Sequence, residues 1–191
     1  ALKDYNILYK ENIDLVGKIW EDRPEFPKAS VWVLKNKYAG KTRKQKLKFL
    51  RNEMKNIEAD VILLTALDDI AWLYNLRGDD IQYNPVALSY TIVYQDKAVF
   101  YRDIETIDEE IVKELKKDGI EIRPYFQVYE DIETLEKVTL LMDEKTVNVS
   151  LQGKIPQNVS VINQMSPTTL AKAKKNDIEM ENVRLAHFID G

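Results

Sequence analysis

The 191-residue chain carries one histidine, His187, and no cysteine. A Ser-His-Asp or Cys-His system could therefore use only His187 as its base. That residue lies near the end of a C-terminal helical stretch with no motif serine beside it, so it reads as a helix residue that packs or is solvated. A protein zinc site draws several ligands from Cys and His, and this composition offers one. Carboxylates are plentiful, and two pairs stand out: Asp68-Asp69 and Asp79-Asp80. Paired carboxylates can hold a divalent ion or do acid–base work. Adjacent residues of a helix point in different directions, however. Asp68 and Asp69 fall in a first turn, where the helix dipole favours negative charge.

Arg77 is the side chain best suited to recognition. It stands in Asn75-Leu-Arg-Gly78, just before the glycine expected to end a helix. An arginine there could clamp a carboxylate bidentately, with Asn75, Asp79 and Asn84 around it. The structural alternatives are a pair with Asp79 or Asp80, or a contact with the carbonyls at the helix end. Trp20, Trp32 and Trp72, with ten tyrosines, could stack bases. Trp72 fits a helix core pattern and Trp20 ends an amphipathic helix, which points to core or domain-interface packing. The lysine-rich run Lys41–Lys55 lies opposite a clean apolar stripe and reads as a solvated face.

These residues are positioned by one central unit. Val61-Ile-Leu-Leu-Thr65 is a short apolar run that suits a buried strand. Leu67, Ile70, Ala71, Leu73 and Tyr74 then recur at helical spacing, and Gly78 is expected as the left-handed C-cap. Asn84-Pro85 closes a loop, since the residue before proline is pushed out of the helical region. Upstream, Asn6–Tyr9 reads as a strand and Asn12 as the cap of a helix over Ile13–Trp20. Val31–Leu34 is extended. Thr42 caps a helix to about Ile57, with Leu47, Leu50, Met54 and Ile57 inward. Downstream, Leu88–Tyr94 and Ala98–Tyr101 form a hairpin. A helix from Thr106 or Asp108 stops at Asp118-Gly119. Ile120–Ile122 is a strand, Val128–Val138 a helix and Thr139–Met142 a strand. Thr146–Ile155 is ambiguous, and Val159–Ile162 is a last strand. Ser166-Pro167 starts a helix, and Asn176-Asp177 starts another. Strands alternating with helices imply an α/β domain with a mixed β-sheet flanked by helices on both faces.

Three blocks carry a resemblance. Thr65-Ala-Leu-Asp-Asp-Ile-Ala-Trp-Leu-Tyr-Asn-Leu-Arg-Gly78, followed by Tyr83-Asn-Pro85 and Ser89-Tyr90, resembles the middle domain of three-domain aminopeptidase P (Xaa-Pro aminopeptidase). Glu11-Asn-Ile-Asp-Leu-Val-Gly-Lys-Ile-Trp-Glu-Asp-Arg-Pro24 looks like the linker into that domain. Ser166-Pro-Thr-Thr-Leu-Ala-Lys-Ala-Lys-Lys-Asn176, with Glu181-Asn-Val-Arg-Leu-Ala-His187, looks like its exit. The resemblance implies a creatinase/prolidase N-terminal domain fold of about five or six strands. It divides the chain into a linker and leading helix (1–28), the α/β domain (29–175), and the first helix of a truncated catalytic domain (176–191). It implies a parent that removes the N-terminal residue before proline, using two divalent metal ions, usually manganese, in a catalytic domain whose ligand motifs do not occur here. On this reading the chain has no catalytic residue or metal ligand of its own. Its partners are the parent's first and catalytic domains, short proline-containing peptides through the full enzyme, and a second copy in a homo-oligomer.

The net charge of −4 argues against a nucleic-acid partner. No apolar run is long enough to cross a bilayer, and no signal peptide is visible at Ala1-Leu-Lys-Asp-Tyr5. The lack of cysteine fits the cytoplasm. The absence of an initial Met suggests an excised domain or a processed product. Two further classes stay open: an independent peptide-binding module using the Asn75–Arg77 loop, and a two-metal nuclease-like enzyme built on the aspartates.

Overall fold

The computed structural model describes residues 13–191. The expected strand at Asn6–Tyr9 and the expected cap Asn12 lie outside that range. The first described helix, α1 (Leu15–Ile19), is capped by Asp14, which accepts a hydrogen bond from the Gly17 amide. Its predicted apolar side packs on nothing described, and Leu15, Val16 and Ile19 are exposed.

After the Pro24–Pro27 connector come β1 (Trp32–Val33) and α2 (Asn36–Ala39). The turn to the next helix needs glycine at position 40. Gly40 has φ +70°, and a Cβ there would meet the Asn176 side chain at 2.3–2.8 Å. Helix α3 (Arg43–Asn56) starts, as predicted, at Thr42, in a capping box with Gln45. Leu47, Leu50 and Met54 face inward. Two of its basic residues do not face water as predicted: Arg43 and Lys46 are 6% and 2% exposed. Both lie on the same helical side as the apolar stripe, and both find carbonyl oxygens there.

Strand β2 (Val61–Leu64) and helix α4 (Leu67–Tyr74) follow, then the two-residue β3 (Leu76–Arg77). β3 pairs with β1 in a small antiparallel ribbon. The predicted C-cap at Gly78 is displaced. The left-handed residue is Asn75, at φ 52° and ψ 37°, a conformation asparagine tolerates. Gly78 is needed for a different reason: a Cβ there would lie 2.9 Å from that of Ala87.

The predicted hairpin is β4 (Tyr90–Tyr94) with β5 (Ala98–Tyr101). Helix α5 (Glu109–Lys117) ends at Asp118-Gly119, with Gly119 at φ +77°. Next come β6 (Ile120–Arg123), α6 (Val128–Glu133) and β7 (Thr139–Met142). α6 is shorter than the predicted Val128–Val138: it ends at Glu133 with Thr134 as its C-cap, and Lys137 at φ 50° then turns the chain towards β7. The ambiguous stretch resolves as α7 (Val149–Gln152), capped by Asn148. Strand β8 (Ser160–Asn163), α8 (Pro167–Ala173) and α9 (Asp177–Asp190) complete the chain. Ser166 caps α8, and Asn176 caps α9 through a second capping box with Glu179.

The main sheet has six strands in the order β6-β5-β4-β2-β7-β8. β4 runs antiparallel to β2 and β5, and the other pairings are parallel. It is thus the mixed sheet the pattern implied. Alternate residues of β2 feed two cores. Ile62 and Leu64 join α3, α4 and α5 on one face. Val61 and Leu63 join α6 and α7 on the other.

The Asp79-Asp80 pair is split by the fold. Asp79 is exposed, whereas the Asp80 carboxylate is fully buried. It accepts hydrogen bonds from the Ala29 and Leu88 amides and pairs with Arg102 at 2.6 Å. The alternative of a pairing with Arg77 is not realised, because Arg77 turns towards α4. The Arg102 side chain is only 3% exposed, so the pair is held without solvent screening. It pins the incoming connector to the start of β4. Removing one partner leaves an uncompensated buried charge. Asp80→Ala is expected to lower stability by about 3–5 kcal/mol in urea unfolding. A loss below about 1 kcal/mol would show that the pair does not hold the connector.

Candidate functional site

The four residues singled out for recognition divide among three environments. Arg77 and Asn84 line one cavity of about 420 Å³, between α4, the loop after β3, and α9. Its walls also carry Glu179, Lys172 and Lys175. Arg77 is half-buried, and its Nη1 donates to the carbonyls of Ala71 and Leu76 at 2.8 Å each. Of the structural alternatives for Arg77, the contact with helix-end carbonyls is the one realised. Burial pushes the Arg77 guanidinium below its ordinary value, opposed by the charge of Glu179. Asn84 closes a turn through its amide to the Ile81 carbonyl, beside Tyr83, which is 96% exposed.

Asn75 does not reach this cavity. It is 3% exposed, its Oδ1 accepts from Lys46 Nζ at 2.6 Å, and its Nδ2 donates to the Lys41 carbonyl at 2.9 Å. A residue expected to bind a ligand instead ties α4 to α3. Asp79 stands exposed on the loop and is not among the residues of the Arg77 cavity.

Asp68 and Asp69 are held by α8. Asp69 is 1% exposed and accepts hydrogen bonds from Thr168 Oγ1 at 2.9 Å, Thr169 Oγ1 at 2.6 Å and Lys172 Nζ at 2.6 Å. Burial works to raise the Asp68 carboxyl, but the hydrogen bond and charge of Lys172 hold it below the usual carboxylate range. Among the described residues no three His, Asp or Glu side chains converge to hold a metal ion. Of the two aspartate pairs, Asp68, Asp69 and Asp80 have cations on them already, and Asp79 stands exposed on its loop. Among the described residues the nuclease-like reading therefore lacks the convergence that a two-metal centre requires. His187 lies exposed on α9.

Lys46 is the site residue that the sequence reading missed. Its Nζ donates to the Trp72 carbonyl at 2.8 Å and lies 4.3 Å from the Trp72 ring centroid. Trp72 is a core residue as expected, at 8% exposure. Arg43 behaves similarly, donating to the Tyr74 carbonyl and pairing with Asp118. A signal existed: Arg43 stands four residues before Leu47, and Lys46 four before Leu50, so both continue rows of the inward face.

The geometry describes a mixed-sheet α/β domain whose polar residues mainly fasten one element to another, with one open cavity at its C-terminal helix. The chain belongs to the Creatinase/Prolidase N-terminal domain family, which it matches over residues 22–179. It is 38% identical to a probable Xaa-Pro aminopeptidase P of Sordaria macrospora, over 93% of this chain and 31% of that protein. It is 33% identical to aminopeptidase P2 of Arabidopsis thaliana, over all of this chain and 31% of that one. A crystal structure of X-prolyl aminopeptidase from Caenorhabditis elegans, described as a cytosolic enzyme with a di-nuclear active site, superposes with a TM-score of 0.82. The two are 33% identical over 91% of this chain and 29% of that one. The chain thus spans about a third of the length of the relatives it matches. No helix among the described residues is long and apolar enough to cross a membrane.

Lys46 generates a pH prediction. Burial lowers its pKa to about 8, opposed by Glu179 and helped by the charges of Arg77 and Lys41. The unfolded chain holds its lysine proton up to about 10.4. Between these values the unfolded state binds more protons, so stability should rise with pH. Guanidinium unfolding is expected to show a gain on the order of 2 kcal/mol between pH 8 and 10 relative to Lys46→Met. Parallel curves for the two proteins across that window would exclude this account of Lys46.

Proposed function

We propose that this chain is the non-catalytic middle domain of a metal-dependent Xaa-Pro aminopeptidase. On this reading the parent removes the N-terminal residue before proline from short peptides in the cytoplasm. Its two divalent metal ions, manganese by the resemblance, are held in a further catalytic domain. The middle domain sets the first domain over the catalytic one, narrows the access of substrates and supports a homo-oligomer. The observation that carries the reading is the coverage. Similarity to Xaa-Pro aminopeptidases runs along 93% of this chain yet accounts for 31% of such a relative.

The C-terminal helix adds physical support. No residue of α9 is buried. Asn176 and Asn182 tether its first half to the carbonyls of Ala39 and Lys37. Leu185, Phe188 and Ile189 then stand 55%, 83% and 75% exposed. An amphipathic helix with an open apolar side marks an interaction surface, and a catalytic domain continuing from α9 would supply its cover. Arg77 and Asn84 border the same helix, so their cavity would face that junction. The cavity also favours a second reading, a module that holds a peptide end by itself. The engagement of Asn75 elsewhere deprives that reading of one donor.

Incubation of this chain with manganese and an Xaa-Pro tripeptide is expected to release no free amino acid, and calorimetry to show no binding tighter than millimolar. Turnover by the chain alone would overturn the scaffold reading. Micromolar binding abolished by Arg77→Ala would favour the module. Phe188→Asp is expected to change the chain's own stability by less than about 0.5 kcal/mol, as a surface substitution. A larger loss in thermal unfolding would mean that α9 is already covered.

A further inference from the structure

A second cavity, of about 460 Å³, lies between α3, Trp72 of α4, and α8. It shares Lys46 and Trp72 with the α3–α4 tie described above, but lies apart from the Arg77 and Asn84 side chains. Its walls are mainly apolar: Phe49 and Leu170 are 37% and 49% exposed beside the face of Trp72. Its size and lining fit the usual small-ligand pocket, apolar with a few placed polar groups.

Two polar groups on residues that line this cavity are unusual. Trp72 is more than nine-tenths buried, yet its indole N–H has no hydrogen-bond partner among the described residues. Buried indole donors ordinarily find an acceptor. Lys46, on the same wall, is 2% exposed and hydrogen-bonded only to two neutral oxygens. No carboxylate among the described residues lies within ion-pair distance of its buried positive charge, and Glu179 acts on it only from farther off. Lys41 and Lys174 add two more cations to the lining, against the single carboxylate of Glu53.

We propose that this cavity binds a small amphipathic carboxylate, with a short apolar tail against Phe49 and Leu170 and its charged end towards Trp72 and the lysines. The carboxylate would supply an acceptor to the indole N–H and a counter-charge to Lys46 and Lys174. A single negative charge suits the site better than a phosphate dianion, because Glu53 opposes further negative charge. The tail must be short and flexible to fit a cavity of this size.

The test is a titration of the ¹⁵N-labelled chain with octanoate, following the indole N–H resonances of its three tryptophans. Trp72→Phe assigns the Trp72 peak; if that variant does not fold, Trp20→Phe and Trp32→Phe assign it by elimination, both residues being exposed. Octanoate is expected to move the Trp72 peak saturably. Octanol, which has the same tail without the charge, should bind at least tenfold more weakly. Leu170→Glu and Lys174→Glu, both at exposed positions, should each weaken octanoate at least tenfold. The proposal is overturned by a Trp72 peak that does not saturate below 10 mM, on the order of the weakest affinities of specific sites. It is equally overturned by octanol matching octanoate, or by both variants binding as the parent chain does.

Discussion

Strand β2 has no polar face, and most of the fold follows from that. Val61, Ile62, Leu63 and Leu64 are each at most 3% exposed. Burying such a side chain is worth about 1.5–3 kcal/mol, so neither face can be left to water. Layers must form on both sides, and β2 can only lie inside the sheet. β4 and β7 flank it, one antiparallel and one parallel. The antiparallel partner comes with a hairpin, and the parallel partner needs a helical crossover. A mixed sheet between helices answers both demands.

That much was legible in the sequence because apolar runs and helix caps are local signals. Thr42, Ser166 and Asn176 each announced a helix, and each side chain accepts from the amide it was expected to satisfy. The fate of α4's end was not legible. Glycine is the commoner left-handed cap, so Gly78 drew the assignment. Asn75 took the position because its side chain meets Lys46 and Lys41, which lie about thirty residues away in sequence. The close approach of Ala87 that requires Gly78 is likewise a tertiary fact. Short segments failed for a related reason: α1 has the right periodicity but no described surface to pack against.

The charged residues show the largest gap between pattern and place. Arg43, Lys46, Asp69, Asp80 and Arg102 are all buried, whereas a charge in sequence suggests water. Long basic side chains can lay their stems along apolar surface while the head finds an acceptor. Here the heads find carbonyls at the end of α4, carboxylates, and the face of Trp72. Asp69 does the same at the other end of α4, taking hydroxyls and an ammonium from α8. So α4 is tied to α3 at its C-terminus and to α8 at its N-terminus by groups that tolerate little displacement. Of the carboxylates that looked most like metal ligands, Asp68 and Asp69 hold α4 to α8, Asp80 holds the incoming connector, and Asp79 stays exposed.

This rigidity bears on what the domain could do in a longer protein. Hydrogen bonds to charged groups are geometrically demanding, so α8 cannot slide on α4 without breaking several at once. α9 follows α8 after three residues and is fixed at its start by the Asn176 side chain on the Ala39 carbonyl. The direction of α9 is therefore set by the contacts of α8 with α4 and by this hydrogen bond to α2. A continuous set of short polar contacts thus fixes the orientation of α8 and the start of α9. The far half of α9 keeps Leu185, Phe188 and Ile189 open to water, a surface that gains only by being covered.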